Sequence, residues 1–524
     1  MNENLGAALQ RAVALYPDRE AVVCGEERWT YAAFAERVAA FDAYLDDLGL
    51  QQGDVVAVLT LNCAEHLLTW FAVPRSGRVL NALNTRLAAA ELEFIVQDCG
   101  ARVLLVDDAF LEVGEQLLAA CPSLEHLVHA GPAATPANAV AFADAVARES
   151  RPASGVDPDA TAGIFYTGGT TGLPKGAVLS HRNLVSNAKH LLIALGYTQE
   201  DCYLHAAPMF HLADGASTFA LTWVGGRHVV MPTFDPAGWP ALIAQENVTL
   251  ALLVPTMINM VVNHPQVHEH DLSSLRLMLY GASPMPGEVL TRGMEILACD
   301  WAQAYGMTEA SPLATLLSPE DHRRGARGEA PYAERLRSAG RPVVGVEIGT
   351  HREDGTIADT GEPGEIWIRG ANIMHGYWNR PQETAAALDD DGWYHSGDAG
   401  FLDGDGYLFV VDRIKDMIIS GGENVYSVEV ENAIYSHPAV LECAVFGVPD
   451  ERWGERVHAA VVFRPGADAT AEEIIDHCRS LIAGYKLPRS VDVHDEPLPK
   501  SGAGKLLKRD LRAPFWEGAA RQVS

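Results

Sequence analysis

The sequence predicts an α/β protein: a large N-terminal domain of βα subdomains with a smaller β-rich unit, and then a small mobile α+β C-terminal domain. Three observations predict it. Over roughly the first 300 residues, short apolar runs alternate with amphipathic stretches of helical period, the pattern of βα units around a largely parallel sheet. After about residue 340 the pattern turns to half-buried strands such as Glu365-Ile366-Trp367-Ile368-Arg369. A charged seam, Asp412-Arg413-Ile414-Lys415-Asp416, then separates two apolar runs, as suits a hinge that meets water during motion. The expected division is 1–412, a hinge at 413–416 and 417–524. A chain of 524 residues, 48% hydrophobic, exceeds one usual core and can fill two or more.

Each element has its own signal. Phe34, Val38, Phe41 and Leu45 recur at three- and four-residue steps between Thr30, a candidate N-cap, and Gly49, which predicts a helix with one buried stripe. Val55–Leu59 and Val103–Val106 read as strands. Residues 129–160, rich in Ala and Pro, read as a surface connection. Ala162–Phe165 reads as a strand that empties into a loop, and Leu277–Tyr280 as an apolar run before a turn. Tyr407–Val411 closes the β-rich unit. The final unit has strands at Ala444–Phe446 and Ala459–Phe463, and a helix whose capping box is Thr470 with Glu473.

Composition narrows the function. A formal charge of −30 argues against wrapping nucleic acid or anionic lipid, so anionic ligands must find local pockets. The one basic cluster, His322-Arg323-Arg324 with Arg327, reads as a solvated loop. Every apolar run is interrupted well before about 18 residues, so no membrane span is expected, and Met1-Asn2-Glu3-Asn4 lacks the basic start of an export signal. Eight scattered cysteines without a CxxC pair fit reduced thiols in a cytoplasm. His264, His268 and His270 have a suggestive spacing, but Pro265 interrupts the helix that would align them, and a polar loop is the expectation.

The richest chemistry follows the strand at Ala162–Phe165. In Tyr166-Thr167-Gly168-Gly169-Thr170-Thr171-Gly172-Leu173-Pro174-Lys175-Gly176 the glycines let backbone N–H groups turn inward, the threonines add hydroxyl donors and Lys175 adds a compact positive charge. That is a place to hold phosphates. It is not the GxxxxGK[ST] loop, because no Gly-Lys-Ser/Thr occurs anywhere and Gly504-Lys505 is followed by Leu506. The segment resembles the AMP-binding signature of adenylate-forming enzymes, the family of acyl-CoA synthetases, nonribosomal-peptide adenylation domains and firefly luciferases.

Further motifs resemble that family in its order over nearly the whole chain. Tyr305-Gly306-Met307-Thr308-Glu309, with Gln303 and Ala304 before it, is similar to the second nucleotide motif. The resemblance implies that Tyr305 stacks on adenine, Thr308 meets the α-phosphate and Glu309 holds Mg²⁺, for which a hard oxygen ligand is suited. Gly281-Ala282-Ser283 is similar to the adenine-edge loop. Tyr394-His395-Ser396-Gly397-Asp398 resembles the motif whose aspartate binds the ribose hydroxyls, and Arg413 would reach the ribose or phosphate. Pro499-Lys500-Ser501-Gly502-Ala503-Gly504-Lys505 resembles the last motif, which implies that Lys505 enters the site for adenylation. Lys415 matches the hinge position. Ser420, Gly421, Gly422 and Glu423 match the edge laid against the arm of coenzyme A after the C-terminal domain turns. Phe210, His211 and Asp214, with Gly281 and Gly306, would line the acid pocket, His211 facing the carboxylate. Residues 317–340 and Thr350-His351-Arg352 are least familiar.

The resemblance implies an ATP- and Mg²⁺-dependent ligase that joins a fatty or aromatic acid to coenzyme A through an acyl-AMP, with Lys505, Lys175, Thr308, Glu309 and His211 as its catalytic set. A related reading passes the adenylate to a carrier protein, amine or other nucleophile. A third, of a different class, is an idle adenylate-binding module, against which Lys175, Glu309 and Lys505 speak. A homodimer is compatible with all three.

Overall fold

Two parallel cores, not one, carry the N-terminal part. The computed structural model describes residues 4–151, 155–167, 174–414, 416–421, 423–450, 452–501 and 506–517. In the first sheet of nine strands, six parallel ones run in the spatial order Asp300–Gly306, Leu277–Gly281, Leu250–Leu253, Cys202–His205, Arg227–Val230 and Glu20–Cys24, with antiparallel strands at both edges. The second sheet has eight: Thr161–Thr167, Val79–Ala82, Val55–Leu59, Ala101–Asp107, His126–Ala130 and Ala139–Ala141 are parallel, and Lys175–Ser180 and Gly376–Tyr377 add antiparallel strands beside the first of these. Val55–Leu59 is buried at every position, as a strand covered on both faces requires.

The helices join the sheets into one interior. The Thr30 hydroxyl accepts the Ala33 N–H at 3.2 Å and starts the helix Tyr31–Asp47, which buries the expected stripe of Phe34, Val38, Phe41 and Leu45. Between the sheets Trp70 stacks on Phe165 at 5.4 Å and meets Phe219 edge-on at 5.6 Å, and Phe71 meets both Phe34 and Phe219 edge-on.

A third sheet, of four antiparallel strands, contains Val346–His351, Gly364–Gly370, Tyr394–Leu402 and Leu408–Arg413. The next strand, Ile418–Ser420, belongs to a fourth sheet built on the long hairpin Val440–Asp450 and Gly454–Phe463 and covered by Ser427–Tyr435 and Ala471–Arg479. The Thr470–Glu473 capping box is formed. The change of sheet therefore falls between Arg413 and Ile418. Across it, Asp412 Oδ2 accepts both the N–H and the hydroxyl of Ser427 at 2.6 Å, while Lys508 Nζ donates to Ser427 Oγ at 2.5 Å and pairs with Glu431 at 2.7 Å. Arg86 also donates to the Ser501 carbonyl at 3.0 Å.

Two expectations are corrected. Residues 129–160 are not merely a surface connection: the strand Ala139–Ala141 joins the second sheet and the helix Phe142–Val146 buries Phe142 against Phe41. The basic cluster is no solvated loop. Ser318 caps a helix, Pro319–Ala326, with Pro319 in its first turn and Asp321 returning the hydrogen bond. His322 is buried against the Tyr280 hydroxyl, and Arg323 and Arg324 pair with Asp300, Glu320 and Glu329. His264 caps a short 3₁₀ turn, and no cluster of three or more His, Cys, Asp or Glu able to hold a metal occurs among the described residues. No helix among them is long and apolar enough to cross a membrane.

Candidate active site

A cavity of about 1980 Å³ opens at the carboxyl ends of parallel strands from both large sheets and is closed by the third and fourth. Parallel α/β sheets place ligands at such ends, because the strands stop there and their loops diverge. Ala82, Thr167, Ala282 and Gly306 mark four of those strand ends along its wall, and Asp398, Arg413 and Lys500 come from the later sheets and the C-terminal segment.

Where the resemblance places the phosphates, Thr167 ends its strand, and Lys175 faces it as its register partner on the next. Gly168, Gly169, Thr170, Thr171 and Gly172 lie outside the described residues, as do Lys415, Gly422 and Lys505. Glu309 sits in the 3₁₀ turn Thr308–Ala310, 8% exposed. Its Oε1 accepts the Tyr377 hydroxyl at 2.9 Å and the Thr167 hydroxyl at 3.4 Å. The Lys175 ammonium lies 5.3 Å from the centre of the Tyr377 ring. A hard carboxylate with one oxygen already anchored fits a Mg²⁺ ligand that shares the ion with phosphate oxygens and water.

Where the resemblance places the nucleoside, Gln303, Ala304, Tyr305 and Gly306 lie on one strand, and the cavity reaches each of them as well as Met307 and Thr308. The Tyr305 hydroxyl donates to Asp398 Oδ2 at 2.9 Å, and Arg413 Nε pairs with Asp398 Oδ1 at 3.0 Å. The strands make this pairing, since Asp398 and Arg413 are opposite each other in the ladder. Burial, and then the Asp398 charge, hold the Tyr305 phenol well above its ordinary pKa, so it stays a donor. Burial disfavours the Arg413 charge, but Asp398 and Glu309 outweigh it and raise that pKa. Ala282 has φ +65°, a left-handed turn that lets Ser283 follow the strand into the cavity wall.

Where the resemblance places the acid, Phe210 and His211 line the cavity. His211 caps the helix Leu212–Val224 by accepting the Ala213 N–H on Nδ1 at 3.1 Å, which leaves the proton on Nε2. Burial lowers its pKa to about 4, so it is a neutral donor near pH 7.

The structure does not bring every expected residue here. Asp214 is fully buried and faces inward, bonded to His205 Nδ1 at 2.6 Å and to the Tyr203 hydroxyl at 3.1 Å, with His205 in turn on His228 at 2.9 Å. It belongs to a core network, not the acid pocket. One helical turn from His211 is too short a step for periodicity to tell the two faces apart. Gly281 is packed beneath the wall: a Cβ there would stand 2.2 Å from the Ala304 carbonyl oxygen, so it supplies clearance, not lining. Ser420, Gly421 and Glu423 form an exposed hairpin edge beside Trp453, apart from the cavity in this arrangement.

Sequence reasoning missed Tyr377, Glu365 and Arg86. Glu365 accepts the Gly397 N–H at 3.0 Å and the Trp367 indole N–H at 2.9 Å, holding the turn before Asp398. Trp367 is sandwiched between His351 and His395 at 3.8 and 3.9 Å, which gives the unfamiliar His351 a place under this turn. Arg86 has no glycine-rich or charged neighbourhood to mark it, and Glu365, between Gly364 and Ile366-Trp367-Ile368, reads as one polar position of a half-buried strand. Tyr377 carries only the weak signal of Gly376 before it, at φ +141°.

The chain is 39% identical to a feruloyl-CoA synthase of Amycolatopsis sp over 98% of its own length and 99% of that protein's. It is 36% identical to the fatty acid–[acyl-carrier-protein] ligase ScoC of Streptomyces coeruleorubidus, over 97% and 96%. Its fold matches the anthranilate CoA ligase AuaEII in complex with anthranoyl-AMP with a TM-score of 0.89, at 27% identity, over 98% of both chains. Residues 9–378 match the AMP-binding enzyme family and residues 429–505 the AMP-binding enzyme C-terminal domain, so the chain belongs to the AMP-binding enzyme family.

Proposed function

We propose that the protein is an ATP-dependent carboxylic acid–CoA ligase that acts on a fatty or aromatic acid. The acid carboxylate attacks the α-phosphorus of ATP to give acyl-AMP and pyrophosphate. The thiol of coenzyme A then attacks the acyl carbon, and AMP leaves. The observation that carries this reading is the meeting, around one cavity, of Thr167, Lys175 and Glu309, of Asp398 paired with Arg413, and of a neutral histidine donor, His211.

The first step brings two anions together, so the chain's task is electrostatic. Lys175 and the loop N–H groups would neutralise phosphate charge, Thr308 would bond the α-phosphate, and Lys505 would enter for this step. Asp398 would accept from the ribose hydroxyls while Arg413 keeps its charge in place. The Nε2–H of His211 would orient the acid. Mg²⁺ held by Glu309 would supply Lewis-acid stabilisation of the phosphate charge. For the second step the C-terminal unit would turn about Lys415 and present Ser420, Gly421, Gly422 and Glu423 to coenzyme A. All eight cysteines are free, which suits a reducing compartment such as the cytoplasm.

A second reading, transfer of the acyl group to another acceptor, is favoured by the likeness to a carrier-protein ligase. Purified protein given ATP, Mg²⁺ and a panel of aliphatic and aromatic acids, with and without coenzyme A, separates the two when pyrophosphate and thioester are measured independently. Thioester formed at the rate of pyrophosphate release supports the ligase. Pyrophosphate without thioester rejects coenzyme A as the acceptor.

A further inference from the structure

Tyr377 stands where two parts of the phosphate side meet. The strand Gly376–Tyr377 pairs with Lys175–Ser180, Tyr377 opposite Ala177, and the Tyr377 N–H donates to the Thr384 hydroxyl at 2.9 Å, so its backbone is fixed on both sides. Its hydroxyl donates to Glu309 Oε1 at 2.9 Å, and its ring lies under the Lys175 ammonium. The Glu309 turn is tied to the same segment, since the Glu309 carbonyl accepts the Met374 N–H at 2.9 Å. Thr167 approaches the same Oε1, more distantly at 3.4 Å. Both side-chain donors thus meet one carboxylate oxygen. Glu309 Oε2 has no hydrogen-bond donor among the described residues, and Glu309 itself lines the cavity.

A carboxylate free to rotate about its last bond spends part of its time with neither oxygen facing a cation, and it loses that freedom on binding one. Pinning Oε1 removes that loss beforehand. Groups that orient a metal ligand in this way typically carry about 10–100-fold in metal affinity or activity.

We propose that Tyr377 is a positioning residue for the cation-binding carboxylate: its hydroxyl holds Glu309 by Oε1 so that Oε2 is presented to a divalent cation, and its ring steadies Lys175 beside it. The inference rests on the reading of Glu309 as the cation's ligand.

The test uses the full-length protein with Mn²⁺ as the probe and the unreactive analogue α,β-methylene-ATP, Mn²⁺ binding being followed by electron paramagnetic resonance. Tyr377→Phe keeps the ring and removes only the hydroxyl. Its expected effect is a Kd for Mn²⁺ weaker by about tenfold or more, with the Kd for metal-free AMP within about twofold of wild type. In the adenylation assay its half-saturating Mg²⁺ rises by the same factor, while the rate at saturating Mg²⁺ returns to near wild type. Glu309→Gln is measured in parallel. If Glu309→Gln loses Mn²⁺ binding and Tyr377→Phe does not, the positioning role is wrong and the ligand reading stands. If Glu309→Gln also keeps Mn²⁺ binding, the ligand reading fails and takes the inference with it. Equal weakening of AMP and Mn²⁺ in Tyr377→Phe means a general loosening of the pocket and likewise overturns the proposal. Should Tyr377→Phe fail to fold, Tyr377→Met, which also lacks the hydroxyl, is held to the same comparison, a weaker Mn²⁺ Kd with unchanged AMP binding being the supporting result.

Discussion

Replacing Gly306 by alanine adds one methyl group at a crowded point of the cavity wall, where the nucleoside is proposed to bind. A Cβ there would stand 1.7 Å from the Pro312 carbonyl oxygen and 3.1 Å from the Ala314 nitrogen. A carbon–oxygen contact relaxes at about 3.3 Å, so the two backbone segments must part by about 1.6 Å. Neither neighbour is a flexible side chain, and the strands Asp300–Gly306 and Leu313–Leu317 are already paired there, with a register shift between Tyr305 and Gly306. Overpacking of this kind costs about 1–3 kcal/mol. The larger consequence is displacement, because Tyr305 and Thr308 flank the site, and misplacement by about 1 Å can cost about 10²-fold in rate. The assay is pyrophosphate release at saturating acid over a range of ATP concentrations, with thermal unfolding measured alongside. The expected result is a fall of about a hundredfold in kcat/KM for ATP with a modest loss of melting temperature. Gly404→Ala, where a Cβ meets nothing within 4 Å, serves as the control and should resemble wild type. Gly306→Ala with kcat/KM within about threefold of wild type would refute the reasoning that this contact sets the nucleoside site.

Lys505→Ala should cut adenylation by about 10²–10³, the usual cost of one charge-stabilising donor, and near wild-type pyrophosphate release would remove Lys505 from the site. Lys508→Met leaves Glu431, 12% exposed, without its cation, and should destabilise the C-terminal unit by about 3–5 kcal/mol in thermal unfolding of the full chain; an unchanged transition contradicts the ion pair. Burial lowers the pKa of His66 to about 3 and of His181, His211 and His322 to about 4. Each folded value lies below the unfolded one of about 6.5, so the unfolded chain binds more protons as pH falls, and each histidine removes about 1.4 kcal/mol per pH unit below that value. The urea midpoint should therefore drop between pH 7.5 and 5.5, and a flat or rising midpoint is inconsistent with these buried neutral rings.

What was legible in the sequence depended on whether a residue advertises its reason locally. The helix after Thr30 and the capping box at Thr470 were readable because a cap and an apolar period lie within a few residues of each other. The loop after Thr167 stood out in the sequence because its glycines and hydroxyls exceed what a turn needs. The division of the parallel strands between two sheets was not, since strand order depends on partners far apart in the chain: Thr161–Thr167 lies beside Val79–Ala82. Tyr377 was missed because its role comes from a ladder with Lys175–Ser180, about two hundred residues earlier. Asp214 was misplaced because its partners, Tyr203 and His205, sit on a neighbouring strand, where nothing in the local pattern announces a buried network.

Asp412 and Arg413 are consecutive, and along a strand consecutive side chains leave on opposite sides. One is fastened to Ser427 at the start of the first helix of the later unit, the other to the aspartate assigned to the sugar. A pull on either side is thus transmitted through a single peptide group. The turn of the tail proposed for the second step would therefore be geared to the Asp398 carboxylate, so a substitution at either position would be felt by both.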